Sequence, residues 1–151
     1  MGYCSSICFS MNKVAVKMFM EEIQNNPPSV INDIIEFIDY SDACYTNDDG
    51  GILIEWTDIK WGNLPTTHFI ENFVASIAGT NHNDYLSEDV TPDVTFIRSG
   101  EELGDVEETS GPLYVNEFEI YIPTGINHSG TTTFDVADLI KKTINFKGEK
   151  K

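Results

Sequence analysis

The stretches DVTFIRS at residues 93–99 and LYVNEFEIYI at residues 113–122 decide the fold. Both are rich in β-branched and aromatic residues that alternate with polar ones, which predicts two β-strands. The acidic, glycine-bounded connection between them, residues 101–111, is too short for a helical crossover, so the two strands should be antiparallel. An antiparallel pair in a chain that also contains helices indicates the α+β class.

The rest of the chain supplies further strands and helices around this pair. Residues 4–10 are short and apolar, and residues 52–61 alternate, so each predicts a strand. In the second of these, Trp56 and Trp61 are five residues apart and should face opposite sides of the sheet. Helical periodicity and end signals, among them Ser29 as an expected N-cap, predict helices at residues 12–23, 29–40, 65–79 and 134–144.

These elements predict a single acidic α+β domain over residues 1–146, followed by a basic tail at residues 147–151. The domain should contain a mainly antiparallel sheet of about four strands, with three to four helices packed mainly on one face. A chain of this length buries about two-thirds of its unfolded surface when it folds as one domain.

The charge of the chain is far more negative than that of an ordinary domain. Its 151 residues include 25 acidic and nine basic ones, a formal net charge of −16. Between Lys17 and Lys141 lie 24 of the acids but only two basic residues, Lys60 and Arg98. A small domain usually carries a net charge of about 2–8 in magnitude, and a larger excess increases self-repulsion in the folded state. The excess therefore predicts a function in which negative charge is presented to a basic partner.

The composition indicates a folded protein of a reducing compartment. The hydrophobic fraction is 40%, with nine Phe, six Tyr and two Trp, which excludes an acidic disordered tail. The sequence lacks an apolar run of about 18 residues that could span a membrane, and residues 7–20 lack a signal-peptide pattern. Three cysteines, Cys4, Cys8 and Cys44, cannot all pair with one another. We therefore expect a cytoplasmic protein without a membrane partner.

The sequence contains no motif for catalysis or for a cofactor. It has no G-x-S-x-G elbow, no phosphate-binding loop and no EF-hand spacing. Cys4 and Cys8 have C-x3-C spacing, but His68, His82 and His128 provide no second pair at zinc-ligand spacing. We therefore predict a protein without catalytic residues, without a dedicated metal site and without a cofactor.

The number of acids is large enough to mimic nucleic acid. In B-DNA, 24 phosphates occupy about 12 base pairs, or ~40 Å. A compact domain of this length has a radius of gyration of about 15 Å, hence a diameter near 40 Å. Even if half of the acids face one partner, they exceed the roughly 6–10 phosphates that a DNA-binding protein contacts.

In size and charge the chain resembles small acidic phage-encoded proteins that block host defences by mimicking DNA, including anti-restriction and some anti-CRISPR inhibitors. The segments FIRSGEE at 96–102 and FEIYI at 118–122, separated by DVEE at 105–108, also resemble a module of small phage proteins. This resemblance implies a non-catalytic inhibitor in the host cytoplasm. Its partner would be the basic surface of a host nucleic-acid-binding or defence protein, and it would not bind nucleic acid itself.

Two acidic clusters are the predicted partner-binding residues. The connection at residues 101–111 should hold the first cluster at one end of the sheet, where binding residues concentrate. The second lies on the polar stripe of the helix at residues 29–40. Because like charges repel, neither cluster should be needed for stability. The first cluster comprises Glu101, Glu102, Asp105, Glu107 and Glu108, and the second Asp33, Glu36 and Asp39, with Asp42 just beyond the helix. One or two of the aromatic residues are candidate anchors for the partner. The tyrosines, which lie beside acids in several places, are Tyr40, Tyr45, Tyr85, Tyr114 and Tyr121.

Two other classes of function stay open. One is a protein–protein binding module of immunity or antitoxin type that does not mimic DNA. The other is a hydrolase-like enzyme whose catalytic set only folding would reveal. Strong salt dependence of binding separates mimicry from a mainly apolar interface. The sequence does not predict the oligomeric state.

Overall fold

The computed structural model describes residues 4–62, 64–79, 90–102, 104–113, 118–120, 128–130 and 132–144. The predicted basic tail, residues 147–151, lies outside them. The helices in this part are α1 (Lys13–Gln24), α2 (Pro28–Asp39), α3 (Pro65–Ala78) and α4 (Val136–Thr143). The strands are β1 (Ser5–Met11), β2 (Ala43–Thr46), β3 (Ile52–Ile59), β4 (Val94–Gly100), β5 (Val106–Gly111) and β6 (Thr132–Thr133).

The strands form one sheet in the order β5-β4-β1-β3-β2-β6. Every neighbouring pair is antiparallel. The predicted α+β class is therefore confirmed. Within the described residues the sheet has six strands rather than about four, because three short or exposed strands, β2, β5 and β6, carry little apolar alternation.

The partner of β4 differs from the predicted one. It is antiparallel, as expected, but it is β5, which lies within the residues that the sequence predicts as a connection. The first four residues of β5 are exposed, so no apolar alternation marks this edge strand. Of the predicted strand at 113–122, residues 114–117 and 121–122 lie outside the described residues, and residues 118–120 form no strand.

Two local predictions are wrong. The rings of Trp56 and Trp61 are in contact, with centroids 5.6 Å apart, and do not face opposite sides. Between them, still within β3, Asp58 adopts a left-handed backbone with φ of 58°. The pairing with β1 shifts by one residue there, between the Ile7–Trp56 and Ser5–Ile59 pairs, so the regular alternation of side chains is interrupted. Ser29 is not an N-cap, because α2 begins at Pro28, whose fixed φ suits the first helical position.

The two faces of the sheet carry different layers. All four helices pack on one face, where they form the main core with side chains such as Phe9, Trp56 and Phe96. The opposite face carries a smaller apolar cluster made of Cys8, Leu53, Ile97, Phe118 and Ile120. We call this opposite side the second face. The prediction that the helices pack mainly on one face is confirmed.

Asn12 connects the first strand, the first helix and the segment before β4. Its side-chain oxygen accepts hydrogen bonds from Ala15 N at 2.9 Å, as the N-cap of α1, and from Asp93 N at 3.0 Å. Its amide nitrogen donates to the carbonyl of Thr91 at 2.9 Å. Because Asn12 and Asp93 are both buried, these bonds satisfy groups that water does not reach.

Candidate functional site

Strand register gathers one group of acids at a single end of the sheet. The first residue of β1, Ser5, pairs with Ile59 at the end of β3 and with Gly100 at the end of β4. Val106, the first residue of β5, pairs with Ser99. We call this region the acidic end, because it carries Asp42, Asp58, Glu101, Glu102, Asp105 and Glu107.

Cys4 lies close to two of these carboxylates. Its backbone N–H donates to Glu101 Oε2 at 2.8 Å. Desolvation, together with the negative charge of Asp58 and Glu101, raises the pKa of the Cys4 thiol. Strand register therefore places Asp58, near the end of β3, at the same end of the sheet as Glu101, in the β4–β5 turn.

Asp42 extends the acidic end toward helix α2. Its carboxylate accepts hydrogen bonds from the backbone N–H of Thr57 and, at 2.8 Å, from the Thr57 hydroxyl. Thr57 precedes Asp58, and Asp42 follows the C-terminal end of α2 by three residues. Asp42 therefore lies between the C-terminal end of α2 and the end of β3 that carries Asp58.

Two acids of the first predicted cluster form ion pairs with a basic side chain. Arg98 contacts Asp105 at 2.8 Å and Glu107 at 3.1 Å, and it donates to the Ser5 hydroxyl at 2.9 Å. The hydrogen bond to Asp105 is the main reason that the pKa of Arg98 is raised. Asp105 and Glu107 therefore help to hold the β4–β5 hairpin, although the sequence predicts that stability needs neither.

Alternation along β5 separates the last two acids of this cluster. Glu107 pairs with Arg98 and lies on the helix side, whereas Glu108 pairs with Ile97 and lies on the second face. Both are exposed. Glu101, Glu102, Asp105 and Glu107 are thus brought together, and Glu108 points away from them.

The second predicted cluster lies on the exposed side of α2. Asp33, Glu36 and Asp39 are exposed, and Glu36 and Asp39 lie in the last helical turn, where no basic residue is present. Negative charge near a helix C-terminus opposes the helix dipole, so these positions lower helix stability. Tyr40 follows directly and is 72% exposed, the most exposed large apolar side chain in the described part of the chain.

The exposed acids far outnumber the cations around them. The described residues include 20 acids and six basic residues, and 15 of those acids are exposed. Both of the basic residues that lie between Lys17 and Lys141 are at or next to the acidic end: Arg98 inside the hairpin and Lys60 just after β3. Their two positive charges offset only part of the negative charge of the six carboxylates at the acidic end.

The pKa of each of the three thiols is raised, which disfavours nucleophilic chemistry. Burial raises the pKa of Cys44, which lines a cleft of about 400 Å³ between α2 and α4, and Asp135 and Asp39 raise it further. Burial and Glu55 raise the pKa of Cys8 to about 12. Because the thiolate is the reactive form, all three cysteines are in environments that disfavour attack.

Folding brings together three metal-ligand types that the sequence spacing separates. The Sγ of Cys8, a carboxylate oxygen of Glu55 and a ring nitrogen of His128 lie within 4.8 Å of one another. Of the other two histidines, His68 lies in α3 and His82 lies outside the described residues. The sequence predicts no dedicated metal site, since no ligand spacing marks this group.

Comparison with known proteins identifies no relative. No family model, no curated protein and no solved structure matches this chain. Among the described residues, none of the helices has both the length and the apolar character that crossing a membrane requires.

Proposed function

We propose that this protein is a non-catalytic inhibitor that occupies the nucleic-acid site of a host nucleic-acid-binding or defence protein through its acidic surface. The binding surface consists of the acidic end together with the exposed side of α2. The proposal places the protein in the host cytoplasm and does not involve direct binding to nucleic acid.

The observation that carries the proposal is the continuity of the acidic surface. Asp42 binds Thr57, the neighbour of Asp58, and Glu101 binds Cys4. Strand register brings the ends of β3 and β4 together on either side of Ser5, so acids from three different parts of the chain lie at one end of the sheet. Closely spaced carboxylates repel, and two of the acids on α2 also oppose the helix dipole. An arrangement that lowers stability in this way is expected where a basic partner supplies the compensating charge.

Tyr40 adds an apolar anchor beside this charge. It lies between Asp39 and Asp42, the two acids that link α2 to the acidic end. Protein interfaces concentrate their binding energy in a few aromatic or arginine side chains within a polar rim. We therefore assign Tyr40 as the centre of the interface and the carboxylates as its rim.

The test is displacement of DNA from a basic protein. A labelled duplex of about 12 base pairs is bound to purified host DNA-binding proteins, including restriction and CRISPR effector complexes, and its fluorescence anisotropy is followed as the inhibitor is added. The parent protein should displace the duplex. The double variant Asp58→Asn with Glu101→Gln should need about tenfold more protein, because two rim charges are lost.

A matched variant controls for overall charge. Asp48 and Asp49 are exposed in the β2–β3 turn, at the opposite end of the sheet from Asp58 and Glu101. Changing both to Asn removes the same two charges and should leave displacement unchanged. Asn is suited to position 58 because it tolerates the left-handed backbone there. Equal displacement by both double variants would refute the proposed surface.

A further inference from the structure

The second face of the sheet contains a polar group inside an apolar layer. Cys8 on β1 and Glu55 on β3 are cross-strand partners, so their side chains lie side by side. His128 approaches from another part of the chain, with its Nε2 3.5 Å from Glu55 Oε1. The surrounding apolar side chains, Leu53 and Phe118 among them, leave Cys8 without exposed surface and the His128 side chain only 11% exposed.

Several contacts hold His128 in this position. Its ring packs on Tyr45, with centroids 4.9 Å apart, and its Nδ1 accepts a hydrogen bond from Gly130 N at 3.0 Å. Ser129 is fixed by N–H and hydroxyl bonds to the carbonyl of Phe118. A Cβ at position 130 would lie 2.9 Å from Tyr45 Cγ, so only glycine permits this close approach.

We propose that Cys8, Glu55 and His128 form a Zn²⁺ site on the second face. The group supplies one sulfur, one oxygen and one nitrogen donor, all within 4.8 Å of one another. Sulfur and imidazole ligands favour zinc over the magnesium or calcium that surface carboxylates bind. The three side chains account for three positions of a tetrahedral site and leave the fourth for water.

Charge balance supports zinc in this apolar layer. A thiolate from Cys8 and the carboxylate of Glu55 carry two negative charges, which one divalent ion neutralises, whereas without metal the two anions would repel. In the metal-free protein the fully buried Cys8 thiol, beside the Glu55 carboxylate, keeps its proton. Zinc binding forms the Zn–S bond and releases that one proton to solvent.

The histidine proton has to move as well. Because Nδ1 accepts a bond from Gly130, the neutral ring carries its proton on Nε2, which faces Glu55. Zinc at Nε2 displaces this proton to Nδ1, and the hydrogen bond from Gly130 is lost. A neutral ring therefore adds no proton to the net release, which is then the one proton of the Cys8 thiol.

The proposal is independent of the acidic surface and has its own test. Co²⁺ is titrated into the chelator-treated protein in the presence of excess Mg²⁺, which occupies the surface carboxylates. The parent should develop a thiolate-to-cobalt charge-transfer band in the near ultraviolet, and added Zn²⁺ should abolish it. Calorimetry in buffers of different ionisation enthalpy should show the release of one proton for each Zn²⁺ bound.

Variants separate this site from other thiols and imidazoles. Cys8→Ser should abolish the cobalt band, and His128→Gln should weaken zinc binding by more than about 100-fold, since even outer-shell changes reduce affinity by about 10–100-fold. Cys44→Ser and His68→Gln should bind as the parent does. Circular dichroism confirms that each variant is folded. A parent without the band, or a band that persists in folded Cys8→Ser, would overturn the proposal.

Discussion

Replacement of Asp105 by Asn should destabilise the protein, although it lowers the charge of an overcrowded acidic surface. Arg98 is only 12% exposed, and its guanidinium depends on Asp105 for a contact of 2.8 Å. A hydrogen bond to a charged group contributes about 1.5–3 kcal/mol. The Asp105 side chain is 33% exposed, and Asn keeps one acceptor, so the expected loss is about 1–2 kcal/mol. For a chain of this size that loss lowers the melting temperature by roughly 2–8 °C.

Two neighbouring substitutions provide the comparison. The Glu107 side chain is 61% exposed, so Glu107→Gln, which removes its pair with Arg98, should cost less than about 1 kcal/mol. Glu108 is exposed on the other face of β5, and Glu108→Gln should leave stability unchanged or raise it slightly. Urea unfolding followed by the fluorescence of Trp56 and Trp61 measures all three variants. If Asp105→Asn is as stable as Glu108→Gln, the assigned role of the Arg98 network is wrong.

Three further perturbations probe other parts of the structure. Tyr40→Ala should weaken partner binding by about tenfold or more without changing the melting temperature, because the side chain is 72% exposed; a loss of stability instead would contradict its role as an anchor. Asn12→Ala should lower the free energy of unfolding by about 2–4 kcal/mol in urea titrations, since it removes an N-cap and leaves the buried Asp93 N–H without its acceptor. Between pH 9 and about 12 the unfolded state loses the Cys8 proton while the folded state keeps it, because the folded pKa is raised. The free energy of unfolding of the metal-free protein should therefore fall as pH rises, by up to about 1.4 kcal/mol per pH unit, and Cys8→Ala should reduce that slope.

The sequence predicted those elements whose apolar pattern reflects a buried face. Helices α1, α2 and α3 and strands β1, β3 and β4 follow from such patterns because one side of each packs against the core. Strand β5 gives no such signal, since its VEETSG sequence is exposed at the edge of the sheet. The contact of Trp56 with Trp61 was not predictable either, because the register shift and left-handed backbone at Asp58 interrupt the strand alternation.

The sequence predicted which acids are exposed in the candidate site, but only partly which of them lie together. Glu101, Glu102 and the acids of α2 are exposed where the sequence placed them, on a turn and on a helix. Asp58 was missed as a member of the site, and Asp42 was expected only just beyond the helix cluster, because strand register and the Asp42–Thr57 contact bring them to the acidic end. An isolated acid before or at the end of a strand carries no sequence signal for such a role.

Local pattern also gave no sign of the polar group on the second face. Cys8, Glu55 and His128 are separated by long stretches of chain, and cross-strand register places only the first two together. His128 joins them through its contacts with Tyr45 and Gly130. Proximity of this kind depends on tertiary structure, whereas a motif such as C-x2-C is readable because its ligands are neighbours in sequence.

Salt dependence of partner binding tests the central proposal most directly. The displacement assay identifies a host protein, and affinity for that protein is then measured from low salt to half-molar salt. Charges are screened more strongly as salt rises, because the Debye length is about 10 Å at 0.1 M and only ~3 Å at 1 M. The parent should lose affinity steeply, and the Asp58→Asn, Glu101→Gln variant should show a shallower dependence than the Asp48→Asn, Asp49→Asn control. An affinity that does not change across this range would contradict nucleic-acid mimicry by the acidic surface.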